Sequence, residues 1–392
     1  MRILFLSPWY PYPTNNGSKL RIFNLLRGLA QQHEVTLLSF ADQPQADQNS
    51  PELRSLCSEV QVVPWKPFQP QSWRARLGFF SLTPRSVIDT FSPEMEQRIK
   101  QALTERSYDL VIASQAGMAG YGSYFGGLAA LFEEVELGVP YESFIQSGSA
   151  WSKIRRGLTW AKHRRYLANL WQYFGACTVV SDQERQLLSR TIPTYRAVEI
   201  IPNCINLADY NDVCQAAQPN HLIFTGSFRY SANHDAMMWF LQEVYPHVQS
   251  QVPDVRLTIT GDHANLPLPP VSNVTLTGFV EDVQSLVASA WVSLAPLRIG
   301  GGTRLKILEA MALHTPVVAT SKGAEGLEAQ SGQHLLVADT PQAFAEAIIQ
   351  LLKDPRLRQQ LANNAYQLVS ERYDWAATMP RFLNLVERVA CA

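Results

Sequence analysis

"APLRIGGGTRLKILEAMALHTPVVAT" (295–320) reads as strand, loop, helix, strand. The first strand ends near Pro296, and Gly300, Gly301 and Gly302 follow without side chains, so a ligand can approach the backbone closely. Thr303 is a favoured N-cap and predicts a helix starting there. The free N–H groups of a first turn, together with the helix dipole, make an anion site. Arg304 and Lys306 add two cationic donors suited to phosphate oxygens. Leu305, Leu308 and Ala312 fall at i, i+3 and i+7 and give a packing face, while Lys306 and Glu309 are i, i+3 neighbours on another. A carboxylate at Glu309 can accept hydrogen bonds from two vicinal hydroxyls, as a ribose presents them. The stretch therefore reads as a grip for a nucleoside diphosphate. The plainer alternative is a glycine-rich loop beside a surface Lys–Glu pair. No GxxxxGK[ST] run and no GxGxxG run occurs in the chain, which excludes a P-loop and disfavours a nicotinamide dehydrogenase.

The same alternation extends outward in both directions. "RILFLS" (2–7), "EVTLLSF" (34–40), "VQVVPW" (60–65), "DLVIA" (109–113), "AALFEE" (129–134), "CTVVS" (177–181) and "AVEIIP" (197–202) are short apolar runs with longer helical patterns between them. An amphipathic stretch from Gly17 to about Gln31 follows the first. The pattern breaks over "NLADYNDVCQAAQPN" (206–220) and restarts with "HLIFTGS" (221–227), "VRLTITG" (255–261), "VTLTGFV" (274–280), "WVSLAP" (291–296), "TPVVAT" (315–320) and "HLLVA" (334–338). Continuous apolar strands alternating with helices predict parallel sheets covered on both faces. The expected architecture is α/β: two doubly wound, Rossmann-like domains, 1–205 and 206–372, facing across a cleft. A final helix over 373–392 is expected to return to the first domain. Residues 64–92, rich in Pro, Trp and Phe, carry no clear pattern.

The chain has 392 residues, 46% of them apolar and 17% charged, enough for two large cores. Lys and Arg total 33 against 34 for Asp and Glu, so no global basic field exists to hold nucleic acid. The five cysteines are scattered and lack CxxC spacing, and the eight histidines form no HxxH or HExxH set. A reduced, cytoplasmic protein without a zinc site is the expectation. The apolar run in "MRILFLSPWYP" is too short for a signal-peptide core, and no run approaches a membrane span. One segment stands apart: "WSKIRRGLTWAKHRRYLANLWQYFGA" (151–176) interleaves Lys153, Arg155, Arg156, Lys162, Arg164 and Arg165 with Trp151, Trp160, Tyr166 and Trp171. It fits either a peripheral contact with the inner face of an anionic membrane or an ordinary amphipathic helix with a basic solvent face.

The run from "FTGSFRYSANHDAMMWF" through "VTLTGFVED" to "GGGTRLKILEAMALHTPVVATSKGAEGL" resembles the donor-binding half of the family-4 glycosyltransferases. "ILFLSPWYPYPTNNGSKLRIFNLLRGLA" is similar to that family's first strand, loop and helix, and "VVSDQERQLL" and "IPNCIN" to its segment entering the hinge. The resemblance covers nearly the whole chain and is looser between about 60 and 175. It implies the GT-B fold, a nucleotide-sugar donor, metal-independent transfer without a cofactor, and retention of anomeric configuration.

Carried over residue by residue, Glu309 matches the second of two family glutamates, a ribose ligand. The first, a contact to the donor sugar, falls on Gly301, so backbone N–H groups from about Gly301 to Thr303 take its place. In "GSFRYSANHD", Gly226 and Ser227 fit the family's diphosphate loop, Arg229 is either its arginine or a solvated loop arginine, and Asn233 stands where a lysine is common. Arg304 and Lys306 are expected to supply the remaining positive charge. In "TGFVED", Gly278 permits close approach, and the backbone of Phe279 and Val280 either reads the base or belongs to the core. Gly17 at a helix start is a further donor contact, with Arg21 one turn on pointing towards an acceptor. The family's histidine after the fourth strand is replaced by Ser114 and Gln115. Gln115, Arg304 and Lys306 are thus the candidate catalytic groups. In "FEEVELG", Glu133, Glu134 and Glu136 follow a strand; one of them, taken as Glu136, is a candidate to orient an acceptor hydroxyl, and the other two fit a solvated acidic turn.

The resulting expectation is a retaining transferase moving a sugar from a nucleoside-diphosphate sugar to a hydroxyl of a glycan or lipid-linked saccharide, in polysaccharide or cell-envelope synthesis. Front-face transfer needs no protein nucleophile, because the leaving diphosphate can take the acceptor proton. Two alternatives stand beside it: a non-catalytic nucleotide- or glycan-binding protein on the same fold, and a GT-B sugar-nucleotide epimerase.

Overall fold

The computed structural model describes residues 1–44, 46–145, 148–213, 215–301 and 304–391. They divide into two compact units, Met1–Pro202 with Met379–Ala392, and Asn203–Thr378.

Among the described residues the first unit is built on seven strands: β1 (Arg2–Ser7), β2 (Glu34–Ala41), β3 (Glu59–Pro64), β4 (Leu110–Ser114), β5 (Ala130–Glu133), β6 (Ala176–Val179) and β7 (Val198–Ile200). They run parallel in the order β3-β2-β1-β4-β5-β6-β7. Ile3 pairs with Val35 on one side and Leu110 on the other. Ile3, Leu4, Phe5 and Leu6 are all fully buried, as a strand covered on both faces requires. Strand order reverses between β1 and β4, which makes their carboxyl ends a topological switch point.

The second unit repeats the plan with β8 (His221–Thr225), β9 (Arg256–Thr260), β10 (Val274–Gly278), β11 (Val292–Ala295), β12 (Val317–Ala319) and β13 (Leu336–Val337), in the order β10-β9-β8-β11-β12-β13. Its switch point lies between β8 and β11. Each apolar run singled out in the sequence overlaps one of these strands, wholly or to within a residue at either end.

The helices bring corrections. The helix expected from Thr303 is Leu305–Ala312, with Arg304 at the N-cap position and no side-chain cap bond. Gly302 and Thr303 lie outside the described residues. The helix buries Ile307, Leu308, Ala310, Met311 and Ala312, a broader face than the spacing of Leu305, Leu308 and Ala312 suggests. The basic helix spans Ala150–Leu170 and stops short of 176, because Phe174 turns extended and β6 begins at Ala176. The helix expected near 232–250 contains a π turn over Phe240–Val244, which ends two residues before Pro246. Proline has no N–H and collides with the carbonyl four residues back, so the ladder widens there.

The unpatterned stretch after β3 holds two short helices, Trp73–Leu77 and Arg85–Thr90. Both are tied to the buried Asp89 carboxylate, which accepts from Lys66 Nζ at 3.1 Å, Gln69 N at 2.8 Å and Ser72 Oγ.

The unit boundaries fall after Pro202 and Thr378 rather than after 205 and 372. Ile205 N donates to Tyr373 O at 2.9 Å and Trp375 N to Ile205 O at 3.0 Å. These bonds hold both crossing segments to the second unit. The last helix, Trp375–Ala390, therefore begins in that unit, and its remainder belongs to the first, where Met379 lies on Gly28.

Candidate functional site

The carboxyl end of β8 carries the tightest constellation in the second unit. Gly226 follows the strand with φ +147°, and a Cβ there would stand 2.7 Å from Asn233 Nδ2 and 2.9 Å from Lys306 Nζ. Lys306 Nζ donates to Asn233 Oδ1 at 3.0 Å, and Asn233 Nδ2 donates to the Ser227 carbonyl at 2.8 Å. The ammonium also lies 4.1 Å from the Phe224 ring centroid, a cation–π contact. On the other side, a Cβ at Gly261, φ +117°, would stand 2.7 Å from the Gly226 carbonyl carbon. Two backbones and one lysine thus meet where no side chain fits.

Burial pushes Lys306 down to about 7, the nearby Arg304 guanidinium adds to this, and Glu309 works against it. One turn further on, burial raises the Glu309 carboxyl, with Lys306 and the Tyr210 hydroxyl opposing. A half-buried ammonium that is easily neutralised, set at a helix start and next to a side-chain-free backbone, is chemistry for an anion that restores its charge.

Arg304 is placed differently from the expectation. It is buried, and its Nη1 and Nη2 donate to the carbonyls of Gly301 and Gly300, each at 2.7 Å. It clamps its own glycine loop and does not present a free fork to phosphate. The Tyr230 hydroxyl lies against Gly300. Arg229 is an exposed loop arginine paired with Asp262. Phe279 is 82% exposed, which excludes the core alternative for that residue and leaves an open aromatic face beside Gly278 and the half-buried Val280.

In the first unit the helix Gly17–Leu29 opens at Gly17, with the Asn16 side chain accepting from Lys19 N at 3.0 Å. Arg21 does not face an acceptor: its side chain is fully buried, with Nε 2.6 Å from Glu133 Oε1 and Nη1 2.9 Å from the Ile201 carbonyl. Glu133 is equally buried and also accepts from Ser114 Oγ at 2.7 Å. This pair joins the first helix to β5 and is structural. Glu136, the residue chosen as the acceptor carboxylate, is exposed past the strand end.

The residue one past β5 is better placed. Glu134 Oε2 accepts from Gln115 Nε2 at 2.7 Å, and Gln115 Oε1 accepts from Trp9 Nε1 at 3.1 Å. The Glu134 backbone N–H is held by Thr178 Oγ1 at 2.8 Å. Burial raises the Glu134 carboxyl to about 7, offset in part by the Arg21 guanidinium and reinforced by Glu133. Gln115 and Glu134 sit at φ +61° and +59°, left-handed positions uncommon for side-chain-bearing residues and clustered at functional sites. The sequence offered Glu134 only as one of three acids. Trp9 and Gly261 were missed, and no spacing signal marks either.

A sequence profile described as Glycosyltransferase Family 4 matches residues 15–209, and one described as Glycosyl transferases group 1 matches residues 219–354. The chain belongs to glycosyltransferase family 4. This family-4 glycosyltransferase is 23% identical over 387 residues to a Klebsiella pneumoniae protein named as an uncharacterized 44.6 kDa protein in the cps region, covering 95% of this chain and 96% of that one. It is 32% identical over 205 residues to a phosphatidyl-myo-inositol mannosyltransferase of Mycobacterium leprae, covering 50% of this chain and 54% of that one. Among solved structures, a sucrose-phosphate synthase from Thermosynechococcus elongatus matches with TM-score 0.71 at 18% identity over 99% of both chains. Anabaena HepE in complex with UDP matches with TM-score 0.70 at 17% identity over 99% of this chain and 100% of that one. These likenesses make the fold of the glycosyltransferase GT-B.

Proposed function

We propose that this glycosyltransferase moves a sugar from a nucleoside-diphosphate sugar to a hydroxyl of a glycan or lipid-linked saccharide, in polysaccharide or cell-envelope synthesis, with retention of configuration and without a metal. The observation that carries the proposal is the Lys306–Asn233–Gly226 constellation. It offers one titrating cation, the first-turn amides of Leu305–Ala312, and a backbone open to close approach. The diphosphate takes its charge balance there, and the ribose hydroxyls bond to Glu309. Phe279 and Val280 meet the base. The 300–301 backbone completes the donor contacts within this unit, and Arg304 holds that backbone in shape.

The acceptor hydroxyl is oriented by Glu134, which Gln115 and Trp9 hold in place, so Gln115 acts as a positioning residue. The acceptor oxygen bonds to the sugar carbon as the carbon–diphosphate oxygen bond breaks, and the hydroxyl proton passes to the leaving diphosphate, whose developing charge Lys306 meets. The relatives support the substrate classes. HepE has been captured with UDP and with UDP-glucose, the mycobacterial relative is named for a lipid acceptor, and the Klebsiella relative for its cps region.

A thermal-shift panel of UDP, GDP, ADP, CDP and dTDP, each with EDTA, tests the reading. A ligand at 100 times its dissociation constant stabilises by about 2.7 kcal/mol. A shift with one nucleotide in EDTA is the expected result. No shift with any of the five sinks the donor site, and a shift only with added divalent cation sinks metal independence. Conversion of a sugar nucleotide with no acceptor present would instead identify an epimerase.

A further inference from the structure

The helix Ala150–Leu170 has two apolar stripes. Trp160, Leu167 and Leu170 are buried against the first unit. Trp151, Ile154 and Leu158 fall at i, i+3 and i+7 on a second stripe, and are 77%, 65% and 57% exposed. Trp160 comes nine residues after Trp151, two and a half turns on, so the stripes lie on opposite sides of the helix. Arg155, Lys162 and Arg165 flank the exposed stripe, and the helix contains no Asp or Glu. Packing within the unit accounts for the first stripe and leaves the second without an occupant.

A second element continues this surface. Lys162 Nζ donates to the carbonyls of Phe79 and Gly78, at 2.9 and 3.2 Å, and so joins the helix to the stretch after Trp73–Leu77. That short helix and the stretch after it together expose Trp73, Leu77, Phe79, Phe80 and Leu82, with Phe80 at 93%. The Arg85 guanidinium lies 3.8 Å from the Phe79 ring centroid. From Trp65 to Ile88 the charged residues are Lys66, Arg74, Arg76 and Arg85, all basic, and Lys66 alone is neutralised, by Asp89. The adjoining helix Gly138–Ile145 adds exposed Val139 and Ile145 and one acid, Glu142. A chain with net charge −1 thus gathers cations and large exposed apolar side chains on one face.

We infer that this face, formed by 73–85 and the outer side of Ala150–Leu170, docks the enzyme on an anionic lipid bilayer. Charge selects the occupant: a dense basic surface attracts acidic headgroups, while Trp, Phe, Ile and Leu tips enter the interfacial zone. Ile154, Leu158, Leu77 and Leu82 have no ring to stack on a base, which argues against a single-stranded nucleic acid. Among the described residues no helix is long and apolar enough to cross a membrane, so the contact is at the surface. The inference deepens the lipid-linked branch of the proposed function, but its test needs neither donor nor acceptor, so either can fail alone.

The full chain is sedimented with phosphatidylcholine vesicles and with the same vesicles containing phosphatidylglycerol. Binding to the anionic vesicles only, weakened by salt, is the expected result. Phe80→Ser and Trp151→Ser should each lower the partition coefficient about tenfold or more, the scale of one buried aromatic side chain. Arg155→Glu with Arg165→Glu, all surface changes, should abolish the preference for anionic vesicles. Equal binding to both vesicles, no binding, or binding untouched by these variants overturns the inference. So does vesicle-free self-association that Trp151→Ser and Phe80→Ser abolish, or capture by a single-stranded oligonucleotide in place of vesicles.

Discussion

Lys306 Nζ lies 3.0 Å from Asn233 Oδ1, and the same ammonium would lie 2.9 Å from any Cβ placed at Gly226. The end of β8 and the helix Ser231–Trp239 that follows it thus share one position with the helix Leu305–Ala312, some seventy residues further along the chain. Lys306→Ala should weaken nucleoside-diphosphate binding by ~1.5–3 kcal/mol, the scale of a hydrogen bond to a charged group. That is about 10- to 150-fold in dissociation constant, read by titration calorimetry. Arg304→Ala should weaken binding by a similar amount and also lower the melting temperature, because its side chain holds the carbonyls of Gly300 and Gly301. Wild-type affinity in both variants would remove the phosphate assignment.

Lys306 also sets a pH dependence. Its folded value, about 7, lies far below its ordinary one, and an arriving diphosphate favours the charged form. Binding at pH 7 should take up about half a proton, and affinity should fall as pH rises above neutral. Calorimetry in buffers of different ionisation enthalpy measures the uptake. In the free protein the folded value is depressed, so the charged form is penalised. The penalty is complete below about 7 and fades as pH rises towards the unfolded value of 10.5. Lys306→Met should accordingly melt higher than wild type near neutral pH, with the gap closing in alkali.

Gly226→Ala should lose diphosphate binding beyond detection while the fold survives. Its φ of +147° strains any side chain, and the new methyl would displace Asn233 and Lys306 rather than backbone. Gly261→Ala meets the Gly226 backbone instead, and should also cost stability. Melting curves with and without nucleotide separate the two cases.

Arg21 and Glu133 form a buried ion pair at 2.6 Å with both side chains at 0% exposure. Arg21→Ala strands a carboxylate in the core, and should cost about 3–5 kcal/mol of stability. Exchanging both partners for apolar residues, Arg21→Met with Glu133→Leu, should cost less than Arg21→Ala alone. Chemical denaturation of the three proteins decides it.

Glu134→Gln keeps the shape of the side chain and removes its charge. Transfer to the acceptor should fall about 10- to 100-fold, with nucleotide affinity unchanged. The folded carboxyl is raised to about 7, so its contribution to stability is full below the unfolded value of 4.5 and is lost as pH rises through neutral. The melting temperature of wild type relative to Glu134→Gln should therefore drop between pH 5 and 8. A gap that does not change with pH would mean Glu134 is charged throughout.

The strand plan was legible in the sequence because apolar runs such as "RILFLS" and "HLIFTGS" are buried on both faces, and that demand is local and periodic. The placement of Lys306 and Glu309 one turn apart on a single helix was legible for a similar reason: spacing along a helix fixes which groups stand together. The sequence alone could not distinguish Glu134 from its neighbours Glu133 and Glu136. Their difference lies in partners more than a dozen residues away, Gln115 for one, Arg21 and Ser114 for another. Nor could it show that Arg304 turns back on its own loop, that Arg21 is sealed in the core, or that Phe279 stands open to solvent. Side-chain direction and burial depend on how separate elements pack. Only the tertiary structure decides which of several equally suitable residues is sealed into the core and which stays accessible.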